Sequence, residues 1–214
     1  MIDLVIFDCD GVLVDSEGIS AITSQAVLAD LGWQLSIDEI VRRFVGSAAG
    51  SMEAQIEEHL GRPLEPDWSK QYARWYRDAF ERDLKPIAGV EPVLAELTLP
   101  FCVASNSSHT RIRHMLELVD LFGYFEGAVF SADDVERGKP APDVFLHAAK
   151  VIGADPSRCL VIEDSRFGAT AARRAGMEVL GYAGGLTPAE WLHGPNTTVF
   201  DSMDELPGLI ARRL

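Results

Sequence analysis

Asp8 and Asp10 stand two residues apart at the end of the apolar run Leu4-Val5-Ile6-Phe7, and Gly11 follows them. A run this apolar reads as a strand buried on both faces of a parallel sheet. Burying a carboxylate is expensive unless it is paired, hydrogen-bonded or metal-bound. Two of them at a strand end therefore suggest a site. A solvated turn is the competing reading, because Asp and Gly are ordinary turn residues. Other candidate strands end in the same manner. Ser105 and Asn106 close the run from Phe101, and Glu163, Asp164 and Ser165 close the run from Cys159. Between them, Lys139 in Gly138-Lys139-Pro140 precedes a helix start, with Pro140 placed near the first helical position. In a parallel sheet these ends face one edge, where open α/β sheets bind ligands. The set Asp8, Asp10, Glu163 and Asp164, with one hydroxyl from Ser105 and one ammonium from Lys139, is electrostatically unstable without a cation. Hard oxygen donors of this kind suit Mg²⁺.

The elements that must position these residues follow from the hydrophobic pattern. Strands are expected at 101–105, 128–130, 159–163 and 178–182, with helices near 90–98, 109–119, 141–152 and 166–175. Such alternation implies right-handed βαβ units and a parallel sheet covered on both faces, a doubly wound α/β fold. Residues 16–85 differ in texture. Ala21, Val27, Leu28 and Leu31 mark one apolar helix face, Ile37, Ile40, Val41 and Phe44 another, and Tyr72, Trp75, Tyr76, Ala79 and Phe80 a third. Gly32, Gly46, Gly61 and Pro66 punctuate them, and no strand pattern is evident. The helical block reads as an insertion after the first strand. Core residues 1–15 and 86–214 thus enclose a helical domain at 16–85.

The chain has 214 residues, enough for one large or two small domains, and 47% hydrophobic residues supply a sizeable core. The net charge of −14 disfavours nucleic acid and anionic membranes as partners, because the long-range field repels polyanions. No segment reaches the roughly 20 apolar residues of a membrane span. The first residues enter a strand pattern directly, with no export signal, so a cytoplasmic protein is expected. Cys9, Cys102 and Cys159 are odd in number and lie in or beside apolar runs, as reduced packed thiols do. His59, His109, His114, His147 and His193 show no metal-ligand spacing with acids, so surface or local hydrogen-bonding roles are expected. Ser16 is expected to cap the first inserted helix, and Asp143 to sit in a first helical turn where the dipole favours it. The Trp75-Tyr76 pair reads as helix core.

Taken in order, the motifs resemble those of the haloacid dehalogenase superfamily of phosphohydrolases. They are Asp8-Cys9-Asp10-Gly11-Val12-Leu13-Val14-Asp15-Ser16, Ala104-Ser105-Asn106-Ser107, Gly138-Lys139-Pro140-Ala141-Pro142-Asp143, and Glu163-Asp164-Ser165 with Gly168 and Ala175-Gly176 beyond. The likeness covers essentially the whole chain. It points to the β-phosphoglucomutase-like and sugar-phosphate phosphatase branch, in which a helical cap follows the first motif on a Rossmann-like core.

The resemblance implies that Asp8 attacks phosphorus to form an aspartyl-phosphate, and that Asp10 protonates the leaving alkoxide and then activates water. It implies Mg²⁺ held by Asp8, the Asp10 carbonyl, Asp164 and Glu163, the last directly or through water. Ser105 and the Asn106 N–H would hold phosphoryl oxygens, and Lys139 would bridge Asp8 and the phosphoryl group. The implied partner is a small phosphorylated metabolite, such as the sugar acid 6-phosphogluconate, and the expected assembly is a monomer or weak dimer. Arg42, Arg43 and Arg74 are the cap cations that would select it. Mutases of this branch carry a histidine where Ser20 stands, and a cap arginine after a glycine where Gly46-Ser47-Ala48-Ala49-Gly50 offers none. Both departures favour hydrolysis. A phosphomutase and a catalytically silent binding protein are the alternatives.

Overall fold

The computed structural model describes residues 1–44 and 51–214. Six strands form one sheet: β1 (Leu4–Phe7), β2 (Phe101–Ser105), β3 (Val129–Ser131), β4 (Cys159–Glu163), β5 (Glu178–Tyr182) and β6 (Thr197–Phe200). Their order is β3-β2-β1-β4-β5-β6, and every neighbouring pair is parallel. The chain runs outward from β1 to β3, then returns to place β4 on the other side of β1. The order thus reverses at β1, and a reversal of this kind opens a crevice beyond the strand ends.

Alternation along β1 feeds two cores. Val5 and Phe7 face one, Leu4 and Ile6 the other, and all four are fully buried. On the Phe7 side pack α5 (Val90–Glu96), α6 (His109–Leu118) and α9 (Leu206–Ala211). On the Ile6 side pack α7 (Asp143–Ile152) and α8 (Arg166–Arg174). The doubly wound reading is therefore correct. Phe7 meets Phe101 and Phe125 edge to face, at centroid distances of 6.1 and 6.3 Å.

Between β1 and β2 lie α1 (Glu17–Asp30), α2 (Ile37–Phe44), α3 (Ser51–Leu60) and α4 (Ala73–Asp83), with no strand among the described residues of this stretch. Ala21, Leu28, Trp33, Ile40 and Ile56 form a separate small core. Tyr72 donates to Asp30 at 2.6 Å, and the hydroxyls of Ser24 and Tyr76 meet at 2.9 Å, so α1 and α4 are also joined by polar contacts. The chain leaves and re-enters the sheet domain along adjacent paths. Asp15 N–H donates to the Lys85 carbonyl at 2.9 Å, and Ile87 N–H to Leu13 at 3.0 Å.

Several expectations need correction. Helix α3, strand β6 and helix α9 had no clear signal. Pro140 lies in the turn before α7, which begins at Asp143 with Pro142 at its N-cap. Trp75 is 42% exposed rather than core, because its face of α4 turns outward while Ala79 and Phe80 turn inward. Asp143 does sit in the first turn of its helix, where it forms a two-pronged pair with Arg137 at 2.9 and 3.0 Å.

Removing the Phe7 ring leaves a cavity at the centre of the aromatic cluster. Phe7→Ala should cost about 3–5 kcal/mol of folding stability, measured by denaturant titration. A loss below about 1 kcal/mol would contradict the central role given to this ring.

Candidate active site

The carboxyl ends of β1, β2 and β4 converge on one crevice of about 160 Å³, lined by Asp8, Asp10, Ser105, Lys139, Glu163 and Asp164 among others. Lys139 reaches it from the turn before α7. Its ammonium donates to Asp8 Oδ1 at 2.6 Å and to Glu163 Oε1 at 2.8 Å, with all three side chains nearly inaccessible. Two further contacts hold it there. Asn106 clamps the Lys139 backbone, accepting from its N–H at 2.7 Å and donating to its carbonyl at 3.1 Å. The ammonium also lies 4.8 Å from the centre of the Phe145 ring.

Glu163 is fixed from its other oxygen. Ser165 N–H and Oγ donate to Oε2 at 2.6 and 2.9 Å, and Ser165 Oγ caps α8 by accepting from Gly168 N–H. A side chain at Gly168 would collide with the Glu163 carboxylate. Gly11, at φ +75°, likewise leaves the space that the Asp164 carboxylate fills. Both glycines therefore admit an acid to the crevice.

Asp8, Glu163 and Asp164 each offer an oxygen, all within 4.8 Å of one another. One ammonium cannot neutralise three buried carboxylates. Burial, with the repulsion of Glu163 and Asp10, pushes Asp8 up to about 7 against the attraction of Lys139. Burial, then Glu17, Glu163 and Asp8, push Asp164 well above the carboxylate range. Burial alone would lower Lys139, but Asp8 and Glu163 outweigh it and raise its pKa. Asp164 Oδ2 is buried without a hydrogen-bond partner among the described residues. A buried oxygen of that kind wants a cation, and this donor set fits a hard divalent ion.

Asp10 differs. Burial pushes it up, but the Arg111 guanidinium and hydrogen bonds from Ser16, Ser107 and Arg111 outweigh that and hold it below its ordinary range. Ser16 Oγ donates at 2.7 Å, Ser107 Oγ at 3.0 Å and Arg111 Nη2 at 3.1 Å. Ser105 Oγ accepts from Ser107 N–H at 3.1 Å, and among the described residues the Asn106 N–H has no acceptor. Two carboxylates two residues apart thus sit in opposite environments, one crowded with negative charge and one with donors.

The structure brings together Asp8, Asp10, Ser105, Asn106, Lys139, Glu163 and Asp164 as the motifs suggested. It does not bring the cap cations there. Arg43 lies over the Trp33 ring at 5.6 Å, and Arg74 pairs with Asp78 at 3.2 Å while 78% exposed. Neither lines the crevice or the cavity beside it. Both occupy outward helix faces, which the sequence pattern could not orient relative to the sheet. The segment 46–50 lies outside the described residues. Ser16 occupies the N-cap position of α1 but makes no capping bond, because its hydroxyl goes to Asp10. Arg111 and Glu17 carried no signal in the sequence, and Ser107, part of the second motif, had no assigned partner. Glu17 is placed within reach of Asp164, and burial pushes it up to about 7. No histidine joins the acidic cluster among the described residues; His59 stacks on Trp33 and His109 bonds Asp134.

The fold is a doubly wound sheet with paired aspartates after β1, a buried lysine before α7 and a second acidic pair at the end of β4. A family model for haloacid dehalogenase-like hydrolases matches residues 2–176, and the chain belongs to that family. It is an enzyme of the phosphatase kind within it. The chain is similar to the 6-phosphogluconate phosphatase of Escherichia coli, with 31% identity over 97% of this chain and 94% of that protein. A crystal structure of a conserved haloacid dehalogenase-like protein from Agrobacterium tumefaciens matches at TM-score 0.88, with 41% identity and 99% of both chains covered. A HAD family hydrolase from Deinococcus radiodurans, solved with bound phosphate and sodium, matches at TM-score 0.81 and 32% identity over 99% of this chain and 96% of that one.

The charge imbalance sets a pH dependence. A carboxylate raised in the folded state costs stability as pH climbs from its unfolded to its folded pKa. In metal-free protein the cost due to Asp8, from 3.8 to about 7, therefore grows over that window. Asp164→Asn removes one of the repelling charges. Stripped of metal, this variant should melt above stripped wild type at about pH 7.5, with a smaller gap at about pH 5. Each kcal/mol of relief is worth about 2–4 °C in a thermal melt. An equal gap at both pH values would remove the repulsion argument.

Proposed function

We propose that the protein is a Mg²⁺-dependent phosphomonoesterase acting on a small phosphorylated sugar or sugar acid, such as 6-phosphogluconate, through an aspartyl-phosphate on Asp8. The observation that carries this reading is the buried Asp8–Lys139 contact at 2.6 Å beside the unpartnered Asp164 oxygen. A nucleophilic carboxylate is useful against a phosphate dianion only where positive charge offsets both. Lys139 supplies one such charge. The ion would be held by Asp8, Asp164, the Asp10 carbonyl and Glu163, and it supplies further charge neutralisation when bound. The relatives named above include a 6-phosphogluconate phosphatase and a hydrolase with bound phosphate, which supports this class of substrate.

Asp8 attacks phosphorus in line, and the substrate alkoxide leaves with a proton from Asp10, which is ionised in the free site and takes that proton up from solvent as the phosphate dianion binds beside it. Water then attacks the phosphorus of the aspartyl-phosphate and gives its proton to Asp10, releasing inorganic phosphate and restoring Asp8. Ser105 Oγ and the Asn106 N–H hold phosphoryl oxygens through the transfer, and Lys139 offsets their charge. The helical block 16–85 acts as a cap on the core formed by 1–15 and 86–214. It excludes bulk water and large substrates, with hinges where the chain crosses. Ser20 stands where mutases carry histidine, so water is the second acceptor.

Two outcomes check the chemistry. Asp8→Asn should release no phosphate while melting as a folded protein, and Asp10→Ala should lose about 10²–10⁴ in kcat. Chelation by EDTA should stop turnover, and Mg²⁺ should restore it. Activity in Asp8→Asn free of wild-type enzyme, or turnover that survives chelation, overturns the reading. Isomer formed faster than phosphate, when a hexose 1-phosphate is supplied with its bisphosphate, replaces hydrolysis with the mutase reaction.

A further inference from the structure

Beyond Asp10 the crevice opens into a second cavity of about 380 Å³ between the helical block and the sheet domain. Ser16, Ser20 and Ser24 recur at four-residue intervals along one line of α1 and face it. Ile40, Phe44 and Met52 close the far side. Ser16 and Ser24 already bond Asp10 and Tyr76, so this wall is polar, and Ser20 adds a further hydroxyl to it. The charged groups lining this cavity are Asp10, Glu17 and Arg111, so Arg111 is its one cation among the described residues.

Arg111 comes from α6 in the sheet domain, and its guanidinium lies 4.8 Å from the centre of the Phe80 ring on α4. That cation–π contact helps hold the group from the other side of the joint. A guanidinium carries five N–H donors. Here a single bond, from Nη2 to Asp10 Oδ1 at 3.1 Å, is its whole side-chain hydrogen bonding among the described residues. The side chain is 37% exposed and borders both this cavity and a groove lined by Tyr76, Arg77 and Phe80, so its hydrogen-bonding capacity is largely unspent beside Asp10.

We propose that Arg111 is a specificity-determining residue that binds a carboxylate on the leaving group. The site would then prefer a phosphorylated sugar acid to the neutral phosphorylated polyol of the same length. The inference rests on the phosphomonoesterase reading. A planar guanidinium matches a carboxylate in a two-pronged pair. A second phosphate dianion fits less well, because it would face Asp10 and Glu17 with only one cation beside it.

The test uses 6-phosphogluconate and sorbitol 6-phosphate, which differ in a carboxylate against a hydroxymethyl group. Steady-state kinetics on wild type, Arg111→Lys and Arg111→Gln give the preference between them. Calorimetric binding of both compounds to Asp8→Asn, with and without Arg111→Gln, gives the same preference without turnover. Wild type should favour the acid by about tenfold or more, the typical scale of a hydrogen bond to a charged group. Arg111→Gln should bring the preference towards unity, chiefly through KM and through lost binding, and Arg111→Lys should keep part of it. A preference unchanged in Arg111→Gln, including one that survives an equal fall in kcat on both compounds, overturns the assignment while leaving hydrolysis standing. Selective binding that depends on Arg111, in a wild type that releases no phosphate from either compound, supports Arg111 and overturns the hydrolase.

Discussion

One ammonium shared by buried carboxylates is the constraint on which the rest of the site depends. Lys139 touches Asp8 and Glu163 at once, and Asp164 lies alongside with an oxygen left over. Burying such a set costs more than the direct attraction returns unless geometry and extra hydrogen bonds are nearly ideal. The surrounding residues serve that geometry. Asn106 holds the Lys139 backbone, Ser165 holds the far oxygen of Glu163, and Gly11 and Gly168 leave room for the acids. The sheet contributes by delivering β1, β2 and β4 side by side, with Phe7 opposite Val103 and Ile162. Stability is given up locally for a strong field at one point.

The same crevice holds a second carboxylate under opposite conditions. Asp10 receives donors from three elements: Ser16 before α1, Ser107 after β2 and Arg111 on α6. Ser16 belongs to the inserted stretch and Ser107 and Arg111 to the sheet domain, so the position of the helical block bears directly on this group. Any shift of α1 relative to the sheet changes how many donors Asp10 keeps. The reacting centre and the block above it are thus mechanically connected through one side chain.

Much of this was legible in the sequence. The apolar runs ending in Asp8, Ser105 and Glu163 marked both the strands and the sheet edge, because a strand buried on two faces leaves a continuous apolar signal. Strands β2, β4 and β5 fell on the expected residues. Edge strand β6 escaped because its burial is partial and its threonines blur the pattern. The cap cations lie away from the crevice, and the sequence concealed this for a different reason. Periodicity gives the faces of a helix but not which face meets another domain, so Arg43 and Arg74 looked as eligible as any. Arg111 was invisible for the same reason, since its importance comes from a ring on α4 and a carboxylate after β1. Ser16 shows a local rule overridden: the capping position was right, and a stronger acceptor took the hydroxyl.

The paired crossings at Asp15–Lys85 and Leu13–Ile87 have a consequence for how such a protein can change over time. An insertion whose two ends are pinned together is closed on itself before any of its interior is specified. Closure entropy rises only slowly with loop length, by about 0.6 kcal/mol per doubling. Helices can therefore be added, lost or redrawn between these anchors with little disturbance to strand pairing in the sheet. The catalytic edge and the chamber over it are free to diverge at different rates, one held by buried charge and the other answerable only to whatever molecule it must admit.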